Sequence, residues 1–444
     1  MQHFMNLLTR MQASLWLIPA AMCAAMLGLA YAMVFSPLEF LGLSADKYWW
    51  LFGGDAATAR DLVSAILSGI ITMTSLVVSI TMVVLSLASG QLGPRLIDNF
   101  LRDRQIQVVL GLFTGTVFYC LFVLRSINEE LGADYVPHIA ITTATVLAML
   151  CLLALLFYVH KIARSIVADT VVSQVADSLE SAILREARNG PADEHAPSRG
   201  QYARTIPLSL DESGYVQVIE FGRLVDLAER EDIIIDVRVR PGHFVLRRSH
   251  ALMVQSNAQV SEGVQRAIRR SFTVGQDRTP TQDLEYSVRQ LVEIAVRALS
   301  PGINDPFTAV AVINRLASAL ELAALNAAPV RHYTDDAGNL RVLAIPSDLS
   351  NLFDTALNQI RQAASQTPAV LIQLARICAQ LASALPDGSS RASLQEHLHK
   401  ISRAGERHID DPADRSDFIS AIANAKRILD NRQCRHGDGS ALAT

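Results

Sequence analysis

Four stretches of this 444-residue chain, 15–35, 62–89, 106–124 and 139–159, run for 19 to 28 residues each without one Asp, Glu, Lys, Arg or His. That length of helix matches roughly 30 Å of hydrocarbon. Inside hydrocarbon every backbone N–H and C=O must bond within its own segment, which leaves the α-helix as the conformation for such runs. The expected architecture is therefore an integral membrane α-helical region of four transmembrane helices, followed by a mixed α+β, mostly helical domain on the cytoplasmic side. Composition agrees: half the residues are apolar, and mean hydropathy is +0.25. The division expected is 1–160 for the four-helix transmembrane domain, 161–203 for a helical stalk and linker, 204–255 for a small α/β module, 256–433 for a helical domain and 434–444 for a flexible tail.

Orientation follows from Lys and Arg in the short flanks. Arg10 precedes the first stretch, Arg95, Arg102 and Arg104 crowd the second connection, and Lys161 and Arg164 follow the fourth. The opposite loops balance Lys47 and Arg60 against Glu39, Asp46, Asp55 and Asp61, then Arg125 against Glu129, Glu130 and Asp134. Both termini are thus expected in the cytoplasm of a bacterial inner membrane, with Tyr48, Trp49 and Trp50 at the outer interface. Arg10, the first apolar run and Ala30-Tyr31-Ala32 also imitate a signal peptide with its cleavage site. The run continues through Val34 and Phe35, and an even number of spans keeps the large C-terminal part with the basic flanks, so retention as a span is expected.

The second stretch carries Ser64, Ser68, Thr72, Ser75, Ser79 and Ser86. At 3.6 residues per turn these six hydroxyls fall within an arc of about 80°, and Met82 lies on the same face. Two readings follow. The stripe lines a water-filled path through an oligomer with Met82 as an apolar constriction, or its small hydroxyl residues let helices approach and bond across a contact. Gly111 and Gly115 mark a packing face on the third stretch. The absence of ionisable groups from all four stretches argues against proton-coupled transport, which needs them.

Downstream, the four-residue spacing of Val167, Val171, Val175 and Leu179 predicts a helical stalk from 161 to 188. Residues 214–220 and 233–240 are β-rich, with Pro241-Gly242 as a turn. After Ser261 the pattern is mostly helical, with helices expected at 284–299, 309–325, 349–364, 369–385 and 394–404. Two phrases stand out. In Arg278-Thr279-Pro280-Thr281-Gln282-Asp283, Thr279 fits an N-cap with Pro280 at the first helical position and Gln282 three residues on, the capping-box arrangement. In Ser300-Pro301-Gly302-Ile303-Asn304-Asp305-Pro306, Asp305 fits the N-cap of a new helix. Free N–H groups at helix starts also attract anions, which makes Arg278, Thr279, Asp283, Asn304 and Asp305 ligand-binding candidates. The helix between the phrases keeps Asp283 and Asp305 apart within one chain, so a joint site requires two subunits.

The five cysteines are far apart, and His397 and His399, two apart, lie on different helix faces, so no metal site and no cofactor are expected. A net charge of −4 points to no nucleic-acid partner. No nucleophile, base and orienting acid assemble, so no enzyme is expected. The Gly93-Pro94-Arg95 to Asp103-Arg104 connection, Gly214-Tyr215-Val216-Gln217, the 278–283 phrase and Leu299 through Ala309 resemble the bacterial predicted membrane proteins catalogued as domain of unknown function 2254. The resemblance runs from the first span to about Leu325, implies the same four-span architecture, and implies no activity. The expected function is a homo-oligomeric channel-like protein with a cytoplasmic vestibule. The alternative is a membrane-anchored sensor or scaffold that binds a small anion or a protein partner. Its other partner is the lipid bilayer.

Overall fold

The computed structural model describes residues 17–35, 52–92, 103–127, 136–165, 168–188, 202–326, 331–345, 348–385 and 389–431. Arg10, Tyr48, Trp49, Trp50, Arg95, Arg102, most of the loop acids and the 434–444 tail lie outside the described residues. The chain divides into two compact units, Met1–Val167 and Ala168–Thr444.

The first unit contains α1 (Leu17–Phe35), α2 (Ala56–Leu92), α3 (Arg104–Ser126) and α4 (His138–Ser165). α2, α3 and α4 each cover one expected stretch, and α1 covers the first from Leu17 on. α1 passes through Ala30-Tyr31-Ala32 without interruption, and Ala30 is buried. The close contact of α1 with α3 depends on the two glycines of α3. A Cβ on Gly111 would lie 2.6 Å from Met22 Sδ and 3.1 Å from Pro19 Cα, and one on Gly115 would lie 2.8 Å from Met26 Cγ. Without side chains there, the backbones approach and dispersion contacts form where lipid supplies no hydrophobic drive between helices. Polar links across the bundle are few and internal: Tyr158 on α4 shares a hydrogen bond with Thr81 and lies 3.2 Å from the carbonyl of Val77, while Tyr119 donates to the carbonyl of Ala140 at 3.0 Å. At the end of the bundle Asp103 caps α3 by accepting from the amide of Gln105 at 2.8 Å, and Lys161 pairs with Asp103.

The second unit begins with α5 (Ala168–Arg188). A continuous stalk from 161 to 188 would pass through residues 166 and 167, which lie outside the described residues. Two sheets follow. The larger has the order β1 (Arg204–Ser209), β5 (His250–Ser256), β3 (Ile234–Val237), β8 (Leu340–Ala344), β7 (Arg331–Thr334); the smaller has β4 (Phe244–Val245), β2 (Gly214–Ile219), β6 (Phe272–Gly275). All pairings are antiparallel except β3 with β8, where Ile235 lies opposite Val342. Helices α6 (Phe221–Arg230) and α7 (Glu262–Arg269) complete this α/β part, whose core gathers Leu224, Ile235, Val237, Leu252, Val254, Ile268 and Val342.

This corrects the expected boundaries. A module of 204–255 omits β6, β7 and β8, and the 256–433 region expected to be helical supplies all three. The hairpin of β7 and β8 is held by Arg341, which donates to Asp335 and to Asp232 at 2.8 Å each, so a strand pair distant in sequence is fastened by charge at one end and by Val342 in the core. The remaining helices, α8 (Leu284–Ala298), α9 (Pro306–Leu325), α10 (Leu349–Ala363), α11 (Pro368–Ala384), α12 (Ser389–His408) and α13 (Pro412–Asn431), pack on one another and on α5. Among the described residues, five helices are long and apolar enough to cross a membrane, α1 to α4 and α9. α9 lies in the second unit, where it packs against α5, α8 and α11 with Val312, Ile313, Leu316 and Leu320 buried.

Leucine at Gly111 should separate α1 from α3, at a cost of about 1–3 kcal/mol or more. Gly28, with open space around its Cβ position, is the control. Thermal unfolding of the detergent-solubilised protein should show a lowered midpoint for Gly111→Leu and little change for Gly28→Leu.

Candidate functional site

The hydroxyl stripe of the second apolar stretch lies on α2, and its orientation within the first unit is the main observation there. The buried residues of α2 are Ala59, Val63, Leu67, Ile70, Val77 and Val84. At 100° per residue their mean direction is about 160° from that of the stripe. Ser68, Thr72, Ser75, Ser79 and Ser86 are exposed, Ser64 is half-buried, and Met82 is 63% exposed. The stripe is therefore no contact with α1, α3 or α4 within the unit. Thr72 donates to the carbonyl of Ser68 at 2.9 Å, the back-bonding open to hydroxyls inside a helix. Ser75 and Ser79 make no side-chain hydrogen bond among the described residues. Thr74 and Thr81, on other faces of α2, bond back to Ile70 and Val77 at 2.7 Å each.

In the second unit, the phrase at 278–283 forms one half of a charged knot. Arg278 grips Asp283 with two parallel bonds, Nε to Oδ2 at 2.6 Å and Nη2 to Oδ1 at 2.7 Å, and its Nη2 lies 3.5 Å from Glu285. Arg240 pairs with the same Glu285 and donates through Nε to His243 Nε2 at 2.9 Å. Gly242 sits between the halves with φ +90, and a Cβ there would be 2.3 Å from Asp283 Oδ2. That position excludes any other residue by both conformation and space. The expected capping by Thr279 is corrected: α8 starts at Leu284, and Asp283 caps it by accepting from the amide of Tyr286 at 3.0 Å. Gln282 is drawn away to Ile219, accepting from its amide at 2.9 Å and donating to its carbonyl at 3.3 Å, while the hydroxyl of Thr279 is buried without a partner among the described residues.

The second phrase is a rigid corner between α8 and α9. Asn304 has φ +50, the left-handed conformation that closes helix ends, and its amide bonds to the carbonyl of Ser300 at 2.9 Å. Asp305 caps α9 as expected, accepting from the amide of Thr308 at 3.1 Å and its hydroxyl at 2.6 Å. Those two bonds hold the Asp305 carboxyl below its ordinary pKa, the hydroxyl first. The corner presents Ile303 and Phe307 to solvent, Phe307 at 88% exposure. α8, fifteen residues and about 22 Å long, separates Asp283 from Asp305 along its axis. The five candidates thus fall into two sets at opposite ends of one helix.

Arg240 and His243 join Arg278, Asp283 and Glu285 without any signal in the local sequence, since 35 to 45 positions separate the two halves. Two concave surfaces adjoin the knot. An open cleft of about 710 Å³ is lined by Arg240, His243, Arg278, Glu285, Arg289 and Asp354, among others. A narrower pocket of about 260 Å³ lies between α5, α6, the β7–β8 hairpin and the turn before α8. No cluster of three or more His, Cys, Asp or Glu suited to a metal ion occurs among the described residues.

His243 is held neutral, first by burial and then by the Arg240 charge, so its pKa is lowered; burial likewise lowers that of His397, beside Asp354 at 3.3 Å. A folded-state pKa below the unfolded value means the unfolded chain binds more protons, so stability falls as pH drops through about 6.5, by at most about 1.4 kcal/mol per pH unit for each histidine. Unfolding midpoints measured between pH 7.5 and 5.5 should fall, and His243→Gln with His397→Gln should flatten the slope. Arg278→Ala, which strands the buried Asp283 carboxylate, should cost about 3–5 kcal/mol at neutral pH by the same measurement.

The family model for predicted membrane proteins of domain of unknown function 2254 matches residues 12–380. Uncharacterized proteins of Mycobacterium bovis and of Mycobacterium tuberculosis are each 29% identical over 437 residues, covering 96% of this chain and 82% of the relative. No solved structure matches the chain. The chain belongs to the family of predicted membrane proteins that carries this domain of unknown function.

Proposed function

We propose that the protein is a homo-oligomeric, channel-like protein of the bacterial inner membrane, with α2 of each copy facing a shared central path. The observation that carries this reading is the outward direction of the stripe: five exposed hydroxyl residues and Met82 occupy the side of α2 that its own bundle leaves uncovered. In a bilayer such a face has three neighbours open to it, lipid, water or a second copy. Exposed Ile71, Leu76, Val78 and Val83 flank the stripe on either side, a pattern suited to copies that touch through the flanks and leave the hydroxyls toward an aqueous path. Exposed Met82 within the stripe supplies an apolar constriction that gates by dewetting.

Four spans belong to the proposal. α9, the fifth helix of sufficient length, has its apolar side engaged by α5, α8 and α11, which favours a core helix of a soluble domain. With four spans both termini share one side, and the basic flanks favour the cytoplasm. The second unit then forms a vestibule or gate. Its pockets support a second reading as a membrane-anchored sensor. No catalytic role is proposed.

Reconstituted into planar bilayers, the protein should carry ionic current, and Met82→Ser should increase it. In a cysteine-free background, Ser79→Cys should react with an impermeant thiol reagent in membranes, whereas Met149→Cys, on the exposed apolar face of α4, should not. Silent bilayers together with an unreactive Ser79→Cys would remove the pore.

A further inference from the structure

The 260 Å³ pocket of the second unit has the chemistry of a binding site that neither phrase of the sequence announces. One wall is a pair of rings: Phe221, at the start of α6, and Tyr333, on β7, lie parallel with centroids 4.6 Å apart and planes 7° apart. Ile345 and Val239 extend that apolar surface. Gln282 is fixed by its two bonds to Ile219, so this part of the lining is rigid. Two guanidinium groups, Arg185 and Arg240, and one acidic residue, Glu186, which has a partner of its own, complete the rim. Arg240 is held by Glu285 and His243 through Nη2 and Nε, which leaves its Nη1 without a partner among the described residues. Arg185, in the last turn of α5, is exposed and makes no ion pair among the described residues.

We propose that this pocket binds a small planar aromatic anion, its ring against the Phe221–Tyr333 wall and its carboxylate or phosphate on Arg185 and the free edge of Arg240. The parts select that class. With their inner faces stacked on each other, the two rings offer a ligand ring an edge or an outer face, contacts that are indifferent to ring identity. A planar guanidinium fork matches carboxylate and phosphate oxygens in two parallel bonds. The volume lies just below the roughly 300–1,000 Å³ of typical small-molecule sites, which favours a single ring system with one anionic group over a dinucleotide. The larger neighbouring cleft fits a single ring less well, because it is open and about 710 Å³, its two rings, Tyr215 and Phe244, meet edge to face, and Arg278 is doubly bonded to Asp283. Since Arg185 belongs to α5 and the rings to α6 and β7, a bound anion would tie the helix that opens the second unit to its sheet. Occupancy of the pocket is independent of whether the membrane unit conducts.

The test uses the full chain in nanodiscs and isothermal titration calorimetry with three probes: salicylate, adenosine monophosphate and benzamidine, which keeps the ring and reverses the charge. Saturable binding of salicylate or of the nucleotide is expected, and the stronger of the two tells whether a carboxylate or a phosphate is the native group. Arg185→Glu should weaken that binding at least tenfold, Tyr333→Leu should weaken it as well, and Arg289→Glu, on the neighbouring cleft, should leave it unchanged. Because Arg185 is exposed, its replacement keeps the test sound even if the Tyr333 variant fails to fold. The proposal is overturned if neither anion binds saturably up to about 10 mM, where even a binding energy near −4 kcal/mol would register. It is equally overturned if Arg185→Glu binds as the unaltered protein does, or if benzamidine binds as well as salicylate.

Discussion

A hydroxyl placed in hydrocarbon has no water to bond with, so it turns back on its own helix, meets another chain, or sits where water enters. That constraint organises the membrane unit. The glycines at 111 and 115 draw α1 onto α3, Val63, Ile70, Val77 and Val84 bury one side of α2 against the bundle, and the hydroxyls are thereby turned to the opposite side. Packing and polarity are thus two faces of one helix. The bundle's own polar links, Tyr158 with Thr81 and Tyr119 with Ala140, are satisfied internally and draw on none of the six residues of the stripe.

In the second unit the corresponding device is the charged knot around Gly242. A buried carboxylate such as Asp283, 3% exposed, is tolerated because a guanidinium meets it with both nitrogens and the helix start adds an amide. Through Arg240 and Glu285 the same knot joins the α/β part to α8 and so to the helical part. The phrase around Arg278 is explained by this fastening role, and the phrase around Asn304 by the tight turn between α8 and α9. In each phrase an aspartate caps the helix start, whereas Arg185, beside the pocket next to the knot, makes no ion pair among the described residues.

Much of this was legible in the sequence where the signal is local. Charge-free runs and 3.6-residue periodicity locate α1 to α4 and most later helices, and Asp305 before Pro306 marks the start of α9. Legibility ended where a residue's partner is far along the chain. Thr279 fits a cap by composition, yet Ile219 takes Gln282 and the helix start moves to Asp283. The β7–β8 hairpin falls between the helices expected at 309–325 and 349–364, and the pairing of β8 with β3 spans about a hundred positions. Hydroxyl spacing gives the direction of the stripe but not what covers it. Only the positions of α1, α3 and α4 show that the unit itself does not.

If the stripe faces a path shared by several copies, the protein is an assembly in its native bilayer. Native mass measurement of the full chain in nanodiscs tests this most directly. The expected result is a single species at a fixed multiple of 48.4 kDa, dispersed to smaller species when Leu76 and Val78, which flank the stripe, are replaced by Lys. A wild-type protein found only as one copy per disc would contradict it.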